Sequence, residues 1–436
     1  MHLFKLGSVN VPHRKNTAAM AAVRMPAPKT VTIPLSMHIG SAAVATVKPL
    51  DRVAVGDLIG KADSYMCSPV YSSVSGTVKK IDKITDSSGR QVDAVIIESD
   101  GMMSVSESVK PVSVTNREEF INAVKDSGVV GLGGAGFPTA VKLDVKDPSK
   151  IKAVIVNGAE CEPYITSDTR TMLDDAELIR DGIALLEKYL GVKKVVIGIE
   201  RNKPQCIAKM KEVMSEDPAV SVISLPATYP QGAEKVLIYN VLGQTVPEGG
   251  LPIDVGAIVI NCTTVAAIAG YIQTGMPLVE KCVTVDGSAV SQPKNVIAPI
   301  GASVKDVFDF CGGFKSEPAK VFYGGPMMGI ALSDLDAPIL KNTNAVIAMD
   351  KRDAAAKENT PCINCARCVD HCPIRLSPVA ISKALARNDI ESLKELKVNL
   401  CMECGCCSYI CPTGQPLVQR NRIAKQLIKK EAKSNG

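Results

Sequence analysis

The sequence contains no tryptophan, and aromatic residues make up only 4% of its 436 positions. Those present are not interleaved with basic runs, which argues against the stacking platforms of single-strand binders. A formal net charge of +5 is too mild to call for a polyanion, so no nucleic acid is expected as a partner. Long apolar runs are missing too. The nearest, residues 255–272, is interrupted by Asn261, Thr263 and Thr264 and reads as a buried strand followed by a helix. Residues 1–7 lack a basic segment leading into a sustained apolar core, so no secretory signal is expected. Cysteine, by contrast, is abundant. Of fifteen, nine lie between Cys362 and Cys411 and six are scattered singly. Without an export signal, this clustering favours a cytosolic metal site over a disulfide framework.

The length suits two to four domains, and a 46% hydrophobic content suits a globular chain. The first thirty residues mix Lys, Arg, Asn, Pro and Ala without period and read as an arm. Over 31–100, short β-type runs such as Val44-Ala45-Thr46-Val47 alternate with turns, which predicts a small all-β unit. From about Thr115 strands alternate with helices. The clearest are a strand at 153–157, a helix over 174–190 stopped by Gly191, a strand at 195–199 and a helix over 204–214. This predicts an α/β unit at 115–275 with a largely parallel sheet. Strand pairs return at 276–330, with a turn at Asp286-Gly287 and a helix over 303–310, as in a β-grasp-like α+β unit. A charged, Ala-rich bridge then opens the last unit, 350–436.

Cys362-x2-Cys365-x2-Cys368-x3-Cys372-Pro373 recurs as Cys401-x2-Cys404-x2-Cys407-x3-Cys411-Pro412. This is the spacing of two-cluster [4Fe–4S] ferredoxins, written twice. A tight loop offers three thiolates to three corners of a cube, and the fourth Cys points across to the other cluster. Cys362, Cys365, Cys368 and Cys411 are therefore expected on one cluster, and Cys401, Cys404, Cys407 and Cys372 on the other. Structural zinc would instead use four ligands in two separated pairs, often with His. Cys406 reads as a bystander, and His371 as a tuning or surface residue. Residues 378–396 read as two short helices broken at Asn388-Asp389. The basic end, with Arg420, Arg422, Lys425, Lys429 and Lys430, reads as a solvated helix more readily than as a lipid contact.

Two further segments have chemical potential. Gly131-Leu132-Gly133-Gly134-Ala135-Gly136-Phe137 can converge its backbone N–H groups on a phosphate, since no Cβ blocks the approach, and Lys142 follows as a counter-charge. It lacks the Lys-Ser/Thr ending of a P-loop, and ligand-free glycine turns are common. Asn157-Gly158-Ala159-Glu160-Cys161-Glu162-Pro163-Tyr164 follows a predicted strand, where open α/β sheets bind ligands. On its residues alone it suits a nucleotide contact and a solvated loop equally. A third patch, 229–235, opens a helix.

Taken together, residues 133–139, 157–168, Gly324-Gly325-Pro326-Met327-Met328-Gly329 and the double cysteine motif resemble the C-subunit family of Rnf complexes, the ion-pumping ferredoxin:NAD oxidoreductases of bacterial membranes. The middle unit is similar to the flavin- and NADH-binding subunit of respiratory complex I. The resemblance implies a barrel-sandwich β domain, a Rossmann-like flavin domain, an SLBB-like β-grasp domain and a ferredoxin-like α domain. It implies FMN cradled by the loop of Gly131, Gly133, Gly134, Gly136, Phe137 and Lys142. Asn157, Glu160 and Glu162 would line the flavin and nicotinamide site, with Glu234 near the nicotinamide. This chain has Gly232-Ala233-Glu234 where the complex I relative has Gly-Glu-Glu. The segment 66–70 carries no lysine for a swinging arm.

NAD(H) exchanges a hydride while clusters take single electrons, and a flavin can do both. The implied path joins clusters, FMN and NAD(H), in a peripheral subunit on the cytoplasmic side of the membrane. The other members of the complex would be direct partners and ferredoxin an indirect one. A soluble cobalamin reductase of diol-utilising compartments and a non-catalytic iron–sulfur relay subunit are the alternatives.

Overall fold

The protein is described from a computed structural model over residues 6–434. Residues 1–5, part of the segment expected to carry no leader, lie outside the described residues. Near the N-terminus two antiparallel sheets face each other. One has the order Thr30–Pro34, Gln91–Ser99, Gly76–Thr85, Arg52–Val53; the other is Val44–Ala45, Leu58–Lys61, Val70–Tyr71. Strand alternation turns Val31, Ile33, Val78, Val95 and Ile97 inward against Ile59, Val70 and Val74. The segment 67–70 is buried rather than presented to solvent. Beneath it Lys341, wholly buried, donates to Ser68 Oγ at 3.0 Å, to the Pro69 carbonyl at 2.5 Å and to the Gly128 carbonyl at 2.8 Å. This lysine pins the β domain to the start of the glycine loop.

The α/β unit has a four-stranded, all-parallel sheet in the order Val220–Leu225, Val195–Glu200, Ala153–Gly158, Ala257–Asn261. Helices cover both faces, so the inner strands read as unbroken apolar runs. Ala176–Leu190 and Cys262–Thr274 lie on one face with Val154 and Val156, while Glu234–Leu242 packs on Ile155 from the other. Gly191 ends its helix in the left-handed region at φ 68, as expected. The helix expected over 174–190 is present as Ala176–Leu190, and a further helix, Ser167–Asp174, precedes it.

The third sheet has six strands, ordered Val23–Arg24, Lys294–Pro299, Glu280–Asp286, Ala345–Met349, Lys320–Tyr323, Ile330–Ala331. It draws one edge from the arm and a fully buried inner strand from beyond residue 330. In the C-terminal unit, Pro378–Ala386 and Ile390–Glu395 are separated at Asn388, with φ 51, and Asp389 caps the second helix. Helix Leu417–Ser434 closes this unit, packing Ala424 and Ile428 onto Ile381, Leu393 and Val398. Among the described residues no helix is long and apolar enough to cross a membrane.

Candidate functional site

The glycine loop lies at the carboxyl end of the parallel sheet, over the start of helix Cys262–Thr274. Asn261 caps that helix, and the Leu132 N–H donates to Thr264 Oγ1 at 3.0 Å. The loop closes on itself through Gly131 N–H to the Phe137 carbonyl at 2.8 Å. A Cβ on Gly133 would stand 2.4 Å from Asn261 Nδ2, so only glycine permits this approach. On the other side Gly133, Gly134 and Ala135 are exposed, and nothing lies within 4 Å of a Cβ built on Gly134. An exposed glycine backbone beside a helix N-terminus fits the phosphate of a flavin nucleotide. Gly136 takes φ 68, and Phe137 is half-buried.

Lys142 does not stand free beside the loop. Its amine donates to Glu234 Oε1 at 3.0 Å and to the Val259 carbonyl at 2.9 Å, which brings the two predicted residues together as an ion pair. Asn157, at the end of its strand, donates to the Gly232 carbonyl at 2.9 Å and accepts from the Ala159 N–H. Both oxygens of Glu160 are engaged, one by the Asp168 N–H and one by the Thr169 hydroxyl, each at 2.8 Å. Glu162 accepts from the N–H groups of Met327 at 3.0 Å and Met328 at 2.8 Å. Burial pushes its carboxyl up to about 7 even though these N–H groups favour the anion. The acidic turn is thus a folded junction, not a solvated loop.

The turn is held by residues that sequence reasoning passed over. Lys15, from the arm, donates to the carbonyls of Glu160, Glu162 and Ile165 at 2.7, 2.8 and 2.5 Å. Beside it Lys203 pairs with buried Glu200 at 2.6 Å. Burial raises the Glu160 carboxyl, with Lys15 pulling the other way, and burial lowers the Lys15 amine. A lysine in a basic arm carries no local sign of such a position. Asn261, Thr263 and Asp168 also sit here: Asp168 accepts from Asn261 Nδ2 at 2.7 Å and Thr263 Oγ1 at 2.8 Å. The strand-then-Asn pattern at 257–261 was the available signal, since it marks a helix cap facing the sheet's ligand edge.

The clustered cysteines line two cavities. One cavity, of about 20 Å³, is lined by Cys372, Cys401, Cys404 and Cys407, with Cys406 on the same wall. A second, of about 240 Å³, is lined by Cys362, Cys365, Cys368 and Cys411. Each fourth thiol has crossed to the other loop. All fifteen cysteines are free, so eight soft thiol donors in two sets of four fit two iron–sulfur clusters. Donors aim at several sulfurs: Leu376 N–H at Cys372 at 3.3 Å, Asn421 Nδ2 at Cys401 at 3.4 Å and Asn364 N–H at Cys362 at 3.5 Å. His371 contacts the Arg367 carbonyl with its Nδ1. Part of the basic tail turns inward: Arg422 and Lys425 both bind Glu403, and Arg420 donates to Ser382 and Gln415.

Four known domain families match in order: the RnfC barrel sandwich hybrid domain over 3–102, the Nuo51 FMN-binding domain over 124–270, the SLBB domain over 282–331 and the 4Fe-4S dicluster domain over 355–412. A flavin cradle joined to a dicluster module defines a flavin- and iron–sulfur-containing electron-transfer protein. The C subunit of the proton-translocating ferredoxin:NAD(+) oxidoreductase complex of Clostridium ljungdahlii is 40% identical over 89% of this chain and 85% of its own length. Its counterpart in the Na(+)-translocating complex of Acetobacterium woodii is 40% identical over 88% of this chain and 87% of its own. The C subunit of the ion-translocating oxidoreductase complex of Rhodobacter capsulatus is 36% identical over 95% and 80%. The chain belongs to this family of C subunits of ion-translocating ferredoxin:NAD oxidoreductase complexes. Its fold also resembles that of an NAD+-reducing [NiFe]-hydrogenase chain, with a TM-score of 0.50 at 20% identity, over 72% of this chain and 62% of that one.

Proposed function

We propose that this chain is the peripheral electron-transfer subunit of a membrane-bound, ion-translocating ferredoxin:NAD oxidoreductase, on the cytoplasmic side, carrying electrons between two [4Fe–4S] clusters, FMN and NAD(H). The observation that carries this reading is the crossed division of eight cysteines between two cavities, one of them packed against the flavin unit. FMN, when bound, supplies the chemistry that joins hydride exchange with NAD(H) to one-electron exchange with the clusters. The protein's task is to hold and orient these groups.

In this reading the exposed backbone of Gly133 and Gly134, with Gly131, Gly136 and Phe137, holds the flavin. Lys142 and Glu234, paired at 3.0 Å, form one wall of the nucleotide site, and Asn157 sets the end of the strand beneath it. Glu160, with both oxygens engaged, shapes the turn from below, while Glu162 ties it to the 324–329 loop. Cys372, Cys401, Cys404 and Cys407 hold the cluster on the flavin side. Cys362, Cys365, Cys368 and Cys411 hold the other, whose exposed Cys362 and Cys365 face incoming electrons from partner subunits and, through them, from ferredoxin. Ion movement belongs to those partners.

The test is anaerobic reconstitution of the full chain with iron, sulfide and FMN, followed by quantification and titration with NADH. Two clusters and one flavin, bleached by NADH, are expected. Two clusters with no flavin bound and no response to NADH would reject the dehydrogenase role and leave a relay subunit.

A further inference from the structure

Two segments far apart in sequence meet the second cysteine loop. Tyr229, only 1% exposed, donates its hydroxyl to the Cys404 carbonyl at 2.7 Å. Its own carbonyl accepts from the Val9 N–H at 2.9 Å and lies 3.8 Å from the Cys406 thiol. Three residues on, the Gly232 N–H donates to the Cys161 thiol at 3.4 Å, and the Gly232 carbonyl accepts from Asn157. A continuous run of contacts therefore leads from the ligand end of the sheet to the cluster loop. Around Tyr229 the contact is apolar and rich in sulfur, formed by Val9, Val11, Cys161, Met327 and Cys406. In that setting, beside the Glu162 carboxylate, the tyrosine hydroxyl hydrogen-bonds directly to a ligand residue, and phenylalanine would fill the same space without it.

We propose that Tyr229 is the positioning residue that seats the flavin unit on the Cys404 loop and sets the reduction potential of the cluster held there. This rests on the cluster assignment above. A carbonyl beside a cluster is a negative dipole that disfavours an added electron, and a buried donor on its oxygen offsets that effect. The same hydrogen bond fixes the separation of the two units, on which electron exchange depends. Tyr229 meets the cluster loop at the Cys404 carbonyl, so its influence passes through that residue.

The decisive experiment compares parent and Tyr229→Phe as full chains loaded anaerobically with iron, sulfide and FMN. Mediator titrations followed by electron paramagnetic resonance report the cluster potentials, and stopped-flow mixing with NADH separates flavin bleaching from cluster reduction. With iron and flavin contents equal, one of the two cluster transitions should move to a more negative potential while the other stays. Cluster reduction should slow by roughly fivefold, the factor expected for one lost hydrogen bond, with flavin bleaching unchanged. Unmoved potentials together with an unchanged reduction rate overturn the proposal. Should Tyr229→Phe lose iron, Cys406→Ala thins the same contact without removing a predicted ligand: slowed cluster reduction supports the proposal, and parental rates overturn it. A parent chain that NADH does not reduce would reject the functional reading, while the mediator titration would still judge Tyr229.

Discussion

The two cysteine loops carry one motif in opposite surroundings. Both place left-handed residues at matching positions, Asn364 and Ala366 in the first and Glu403 and Gly405 in the second. Bringing three thiols to one cavity requires these reversals in either loop. Beyond that they diverge. Cys362 and Cys365 are exposed and Ile363 is 66% accessible, whereas Cys407 is buried and Cys404 and Cys406 are buried against the flavin unit and the arm. Ala366 stands in the open, but a Cβ on its counterpart Gly405 would lie 2.9 Å from the Met327 carbonyl. The motif therefore sets which thiols share a cavity, and the neighbours decide which cavity lies against the flavin unit and which stands exposed.

The sharpest way to break this comparison is to remove one ligand from each loop. Cys365→Ser and Cys404→Ser should each lose about four irons per chain. With Cys365→Ser, NADH should still reduce the remaining cluster. With Cys404→Ser it should bleach the flavin and reduce no cluster, as read by iron analysis and paramagnetic resonance. Equal responses would dissolve the distinction between the loops.

The next largest effect is expected at Lys15, whose loss leaves the Glu162 and Ile165 carbonyls without their cation and buried Glu160 with Lys203 alone. Lys15→Met should destabilise the flavin-side junction by about 3–5 kcal/mol. Thermal unfolding and flavin retention check this, and iron on the exposed loop should persist to higher temperature than iron on the buried one. A smaller contrast is written in the paired turns. Gly405→Ala should cost about 1–3 kcal/mol, from backbone strain and the approach of Met327, while Ala366→Gly should change stability by less than about 1 kcal/mol.

The last contrast is a pH dependence confined to the buried side. The Glu162 carboxyl, ordinarily near 4.5, is pushed up to about 7 by burial. A raised carboxyl favours the protonated folded state, so its contribution is fully present below about 4.5 and is lost as pH rises through about 7. The stability of the parent relative to Glu162→Gln should therefore fall by about 2.5 kcal/mol between pH 5 and pH 8. Denaturant unfolding at the two pH values measures it, and a difference that grows with pH would contradict the assignment.

Much of the molecule was legible before folding was considered. The strands at 153–157 and 195–199, the stop at Gly191 and the helix break at Asn388-Asp389 follow from residue period and local sterics, and all are present. Other features left no local trace. Val23–Arg24 pairs with a strand at 294–299, which no arm-like composition announces. Lys142 looked like a phosphate counter-charge because its partner Glu234 is remote in sequence, and Glu160 looked available because Asp168 and Thr169 had not yet folded back onto it.

By itself the sequence determined which thiols share a cavity, because cysteine spacing and a following proline are properties of a few neighbouring residues. It also determined the order of units, because period and turn residues act within one element. The tertiary structure alone decided which carboxylates stay accessible, that an arm lysine holds the acidic turn, and that Tyr229 meets Cys404. Those outcomes depend on burial and packing among residues 9, 15, 161, 229, 327 and 404, and no short-range rule relates positions so far apart.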